Sequence, residues 1–301
     1  MASGTKSNQP IVNTFSFDGL MKEVAKQAGL LAEFFRLNLL YYQLISGRGL
    51  EFYDMKRYVP GDDVRRLDWK VFARTGKLYT RIFKEERVFD IIIILDVSNS
   101  MLLGTHKMTK NEFGALVAGT LAYAAVDAGD QVGGGTFAKN KANLTEADGD
   151  YVQLINRLTD SKQYGGIKDW DNLSDELLAN YKNDSIIFIV SDFVDTHPER
   201  FLPELASQFT KVFGIMVRDP TDSQLPKGVG KMYLKDPHTG RVILSDVDKV
   251  RKEYEVMAKA QEKYIKDTFQ QYGQVCFKIT TGEEFGTAFI KALGGETVEI
   301  Y

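Results

Sequence analysis

Five consecutive apolar residues, Ile91 to Leu95, run straight into Asp96, Ser98 and Ser100. A run this short, β-branched and free of polar alternation fits a strand covered on both faces, as in a parallel sheet with helices above and below. Open sheets of that kind bind ligands in the crevice outside the carboxyl ends of their strands. One carboxylate and two hydroxyls at every second position, placed at that edge, form a set of hard oxygen ligands. The chemistry expected there is a divalent cation, Mg²⁺ or Mn²⁺.

A second apolar run, Ser185 to Val190, ends in Ser191 and Asp192. Neighbouring parallel strands lie about 5 Å apart, so Asp96 and Asp192 would share one crevice and repel unless a cation lay between them. The structural alternative is that Asp192 bonds loop amides and that Ser98 and Ser100 are turn residues.

Around these runs the pattern alternates between strand and helix from Val88 onward, which specifies an α/β fold with a mainly parallel, doubly wound, Rossmann-like sheet and helices on both faces. Helices are expected over about 110–128, 151–158, 172–181 and 247–272, and strands over 131–137, 211–217 and 275–280, followed by a closing helix. Thr109 with Glu112, and Thr196 with Glu199, have the spacing of capping boxes. Gly133-Gly134-Gly135 reads as a strand that a helix approaches closely. Three regions follow: a disordered terminus at 1–13, an N-terminal helix and a charged, β-rich segment at 14–87, and the α/β domain at 88–301.

The charged segment differs in kind. Between Arg48 and Arg87 eleven basic side chains face seven acidic ones, leaving it at +4 and the rest of the chain at −7 of the formal −3. The acids are interleaved with the bases, and the whole chain is slightly acidic, so nucleic acid is not an expected partner. Cys276 is the sole cysteine, which rules out an internal disulfide and a multi-cysteine zinc site. The longest uncharged helical run, 113–126, is too short to span a bilayer, residues 1–13 lack the apolar core of a signal peptide, and a cytoplasmic protein is expected.

Two sets of residues resemble known families. D-V-S-N-S at 96–100 resembles the D-x-S-x-S signature of von Willebrand factor A-type domains, whose metal-ion-dependent adhesion site lies at that strand end. Y-V-P-G-D-D-V-R-R-L-D-W-K-V-F-A-R-T-G-K-L at 58–78, with Glu85-Glu86-Arg87, resembles the domain-of-unknown-function family 58, in which such a block precedes an A-type domain. Asp130 to Gly133, Ser191 to Phe193, Asp219-Pro220 and Asp236 to Gly240 add to it. The resemblance implies metal ligands at Asp96, Ser98, Ser100 and Asp192. A-type sites add a threonine where this chain has Ile167 after Gly165-Gly166, so Asp169 or Asp171 is a possible substitute ligand.

The resemblance further implies a non-catalytic adaptor that works with a MoxR-type AAA+ ATPase in assembling or activating other complexes. A partner's carboxylate would complete the metal shell. Arg65, Arg66, Trp69 and Arg74 are candidate partner-binding residues, because arginine and aromatic side chains dominate interface energies. Two alternatives stand beside this reading: a metal-dependent, phosphatase-like hydrolase, and a scaffold with a vestigial metal site.

Overall fold

The computed structural model describes residues 55–59, 69–81 and 88–283, except 106–107, 128, 139–140, 149 and 237–238, together with Gly19, Lys22 and Val24. The expected disordered terminus, most of the N-terminal helix and the closing helix lie outside these residues. Contacts divide the chain into two units, 38–88 and a larger one of 1–37 with 89–301.

In the smaller unit β1 (Met55–Arg57) pairs antiparallel with β2 (Tyr79–Arg81), and α1 (Trp69–Thr75) lies between them in sequence. The helix stops at Gly76, whose φ of 65° lets its amide bond back to the Phe72 carbonyl at 2.8 Å.

The larger unit holds a six-stranded sheet. Its strands are β3 (Asp90–Asp96), β4 (Gln131–Ala138), β5 (Lys141–Thr145), β6 (Ile186–Ser191), β7 (Lys211–Arg218) and β10 (Val275–Thr280), in the order β10-β7-β6-β3-β4-β5. Every pairing is parallel except β4 with the edge strand β5. The first strand, β3, sits in the interior with β4 on one side and β6 on the other. That is where the strand order reverses, the point at which open α/β sheets place their ligand crevice.

Residues 90–96 and 186–191 are all buried, as two-face burial requires. On one face Ile92, Ile94, Ile187 and Ile189 pack with Leu173 and Leu177 of α4 (Trp170–Asn180), Leu205 of α5 (Leu202–Gln208) and Phe269 of α7 (Val247–Gln271). The opposite face carries α2 (Lys110–Asp127), buried along most of its length, with α3 (Tyr151–Leu158) beside it. A methyl group added at Gly114 of α2 would lie 2.8 Å from Leu95 Cδ1, so the helix rests directly on β3. The chain is thus a mixed α/β protein with a mainly parallel, Rossmann-like central sheet.

Some local expectations change. Only half of the first capping box forms: the Glu112 carboxylate accepts from the Thr109 amide at 2.8 Å, while the Thr109 hydroxyl turns to Asn111. The second does not form, because a 3₁₀ turn at Pro198–Arg200 makes His197 the residue before the turn and Glu199 reaches Tyr264 instead. The Gly133–Gly135 run is crowded by backbone rather than by a helix. A Cβ at Gly134, where φ is 116°, would stand 2.1 Å from the Ile93 carbonyl oxygen. Also unforeseen are β5, the short α6 (Pro220–Ser223), and the antiparallel hairpin of β8 (Lys231–Lys235) and β9 (Val242–Asp246).

Replacing Gly134 by Ala should therefore cost on the order of 3 kcal/mol or more, since both the backbone conformation and a neighbouring strand must give way. Gly129→Ala, at φ 90° with no atom within 4 Å of the added methyl, should cost about 1 kcal/mol. Urea unfolding of the two variants reads the difference directly.

Candidate functional site

Asp96 is the last residue of β3, and Asp192 follows the last residue of β6. Because Leu95 pairs with Val190, Asp96 lies level with Ser191 and Asp192 follows one residue on, so both aspartates emerge at the carboxyl edge. Each is 0% exposed. A third loop closes over them. The Gly165 amide donates to the Val97 carbonyl at 2.7 Å, the Asn99 amide donates to Gly166 at 2.9 Å, and the Gly166 amide donates to Asn99 Oδ1 at 2.8 Å. Gly165 and Gly166 have φ of 89° and 87°, a region that glycine occupies freely. This turn leaves Ile167 exposed and sends Lys168 inward. Just beyond, Trp170 stacks on Phe201 at 4.6 Å and on Phe193 at 5.6 Å, which anchors the start of α4.

The Lys168 ammonium lies 2.5 Å from Asp192 Oδ1 and 3.2 Å from Asp96 Oδ2, with its side chain 4% exposed. It bridges the two carboxylates. A second ammonium, from Lys110 in the first turn of α2, lies 2.9 Å from Asp192 Oδ2 and 2.9 Å from Asp222 Oδ2. The remaining acceptor capacity is used locally. Asp96 Oδ1 accepts from the Ser98 amide at 2.8 Å, Asp96 Oδ2 from the Ser191 hydroxyl at 2.6 Å, and Asp192 Oδ1 from the Val194 amide at 3.1 Å.

Burial by itself would push the Asp192 carboxyl up, but the ammonium groups of Lys168 and Lys110 outweigh it and hold the group far below the usual carboxylate range. Burial likewise opposes the charged form of both lysines, and the facing carboxylates reverse that and leave each above the ordinary lysine value. All three groups are therefore ionised across the range in which proteins work.

Beside this network a neighbouring carboxylate, Asp219, gathers loops from across the edge. Its oxygens accept from the Thr105 amide and hydroxyl at 2.8 and 2.7 Å, from Thr221, and from the Thr281 hydroxyl at 3.1 Å. Burial raises its carboxyl, and these donors overcome that and bring it to about 2.

The profile of the family described as "Protein of unknown function DUF58" matches residues 54–264. The chain belongs to the DUF58 family. Uncharacterized proteins of Mycobacterium bovis and Mycobacterium tuberculosis are each 29% identical to it over 213 residues, covering 68% of this chain and 66% of the relative. The chain thus spans 66% of the length of these curated relatives. Among solved structures, the conserved hypothetical protein BatB from Bacteroides thetaiotaomicron is similar at 16% identity and a TM-score of 0.43, over 68% of this chain and 97% of that one. An aerotolerance-related membrane protein from Bacteroides fragilis is similar at 15% identity and a TM-score of 0.43, over 69% and 100%.

In this DUF58 chain Asp96 and Asp192, two of the four residues expected as metal ligands, meet at one point, but the arrangement does not fit Mg²⁺ or Mn²⁺. A bridging Mg²⁺ would take oxygens at about 2.0–2.1 Å in an octahedron. The position between Asp96 and Asp192 belongs to the Lys168 ammonium, and a divalent ion beside it would meet like charge. Ser98 and Ser100 are buried turn residues, their hydroxyls 3.3 Å apart. Nor do the substitute ligands reach the pair: Asp169 caps α4 by accepting from the Asn172 amide at 3.0 Å, and Asp171 pairs with Arg200 at 2.8 Å on the surface. Arg65 and Arg66 lie outside the described residues; Trp69 opens α1, and Arg74 is an exposed residue of its last turn. The residues missed by sequence reasoning are Lys168 and Lys110. The available signal was a lysine directly after the position that lacks its oxygen ligand.

Removing one member of such a network strands the others. Asp192→Asn should lower stability by about 3–5 kcal/mol, because two buried ammonium groups lose their shared counter-ion. The sign with pH follows from linkage. A carboxyl held low stabilises above its ordinary value near 3.8 and loses that contribution as pH falls. Ammonium groups held high stabilise below 10.5 and lose it as pH rises beyond. The gap in unfolding free energy between wild type and variant should stay constant through the neutral range. It should shrink only in strong acid and strong alkali, which denaturant titrations across pH will show.

Proposed function

We propose that the chain is a non-catalytic protein-interaction adaptor, that its larger unit is a von Willebrand factor A-type domain, and that a partner docks over the carboxyl edge of the sheet. The observation that carries this reading is the division of the edge into a sealed interior and an open rim. Asp96, Ser98 and Asp192 are each 0% exposed and already bonded, so no substrate reaches them. Directly outside lies a cavity of about 210 Å³ whose lining includes Lys168, Trp170, Asp171, Asp195, His197 and Arg200, so that Lys168 separates the two aspartates from the rim. Mixed exposed charge around an aromatic floor is the make-up of an interface rim rather than of a reaction chamber.

Backbone strain points to the same place. Phe193 and Asp195, in the loop after β6, have φ of 50° and 51°, a conformation that a bulky buried side chain such as Phe193 adopts only when its surroundings force it. Strain held in the loop that shapes the cavity is consistent with a recognition role. The hydrolase alternative needs a carboxylate or hydroxyl open to attack, and the buried positions of Asp96 and Ser98 tell against it. The scaffold alternative, with a vestigial metal site, gains support from the lysines that fill the crevice, and it differs from an adaptor only in lacking a partner at the rim.

The resemblance noted from the sequence makes a MoxR-type AAA+ ATPase the proposed partner, with a cytoplasmic setting. Reversing charge at the rim tests the reading. Arg200→Glu, which also breaks the surface pair with Asp171, should leave folding intact and weaken capture of the ATPase at least about tenfold. Undiminished capture by this variant, together with turnover of a phosphate ester by the wild type, would overturn the adaptor reading.

A further inference from the structure

We infer that Lys168 and Lys110 replace a divalent ion at the strand-end crevice. The site is then held together by the protein's own ammonium groups and works without metal. Charge and position both support this. Two inward carboxylates at neighbouring strand ends are met by two ammonium groups where a divalent cation would otherwise serve, Lys110 being shared with a third carboxylate, Asp222. The two lysines approach from different elements, Lys168 from the turn after Gly165-Gly166 and Lys110 from the first turn of α2. They contact opposite oxygens of Asp192, Oδ1 and Oδ2. Lys168 alone touches both aspartates, so its ammonium stands where a bridging ion would.

The surrounding hydroxyls keep the layout of an oxygen cage. Ser98 and Ser100 are buried next to Asp96, 3.3 Å from each other, and Ser191 donates to Asp96 at 2.6 Å. In this chain the Ser98 and Ser100 hydroxyls lie within hydrogen-bond distance of each other, and the Ser191 hydroxyl bonds the Asp96 carboxylate. Removing the Lys168 ammonium would leave the buried carboxylates with an unmatched negative charge beside buried hydroxyls. A small hard cation then has reason to enter. The inference therefore assigns Lys168 as the residue that closes a latent metal site.

This deepens the interaction-site reading, and rests on it only in taking the crevice as the working site. Metal titration needs no partner, so its outcome is separate from any failure of partner capture. Mg²⁺ and Mn²⁺ would be titrated calorimetrically into the full chain, into Lys168→Ala, and into Lys168→Ala with Asp96→Asn, with circular dichroism to confirm folding. The wild type should show no saturable heat at millimolar metal, and its thermal midpoint should be the same in Mg²⁺ and in EDTA. Lys168→Ala should bind Mn²⁺ at least about tenfold more tightly than the wild type and gain thermal stability on adding it. The added Asp96→Asn change should abolish that gain.

Should Lys168→Ala fail to fold in EDTA, folding restored by Mn²⁺ supports the same assignment. Two results would overturn it: Asp96-dependent Mg²⁺ binding by the wild type, and a folded Lys168→Ala protein that binds Mn²⁺ no better than the wild type. A variant that stays unfolded with and without Mn²⁺ would also count against a latent site.

Discussion

Parallel pairing of β3 with β6 forces Asp96 and Asp192 to leave the sheet together, inside the protein and away from water. Two carboxylates buried in that position repel and lose hydration, so something positive has to reach both. The arrangement of the loops follows from that need. The Gly165-Gly166 turn hydrogen-bonds onto the loop after β3 and brings Lys168 inward, and α2 begins where Lys110 can reach Asp192 and Asp222. Trp170, clasped between Phe193 and Phe201, fixes the segment carrying Lys168 by packing, so the ammonium does not have to be held by charge alone.

A network of this kind contributes more to geometry than to net stability. Desolvating four charges costs about as much as their attraction returns, and the well-documented penalty comes when one partner is lost. That asymmetry suits a site whose task is to hold three loops in one arrangement beneath an exposed rim. The strained backbone at Phe193 and Asp195 flanks Val194, whose amide bonds Asp192 of this network.

How far the sequence disclosed this depended on the range of the forces involved. The apolar runs at 91–95 and 186–190 announced buried parallel strands, because burial on both faces leaves no room for polar alternation. Their acidic ends announced the shared crevice for the same reason. The cation was not legible. A lysine after a glycine turn ordinarily reads as a solvated side chain, and only the hydrogen bonds between the 165–166 and 97–99 backbones show that it points inward. Lys110 was hidden similarly, as an unremarkable residue at a helix start. The β8–β9 hairpin escaped because Tyr233, Val242, Ile243 and Leu244 are exposed, so no core pattern marked it. At Gly134 the glycine was noticed, but the crowding atom belonged to Ile93 on the adjoining strand, a neighbour that only the register supplies.

The central claim is that an ammonium nitrogen, rather than a metal, sits between the strand-end carboxylates. Anomalous diffraction from crystals grown in Mn²⁺ tests it most directly. The account predicts continuous density from the Lys168 side chain ending between Asp96 and Asp192, with no anomalous peak there. A strong Mn²⁺ peak ligated by those two carboxylates and the hydroxyls of Ser98 and Ser100, with Lys168 turned out to solvent, would contradict it.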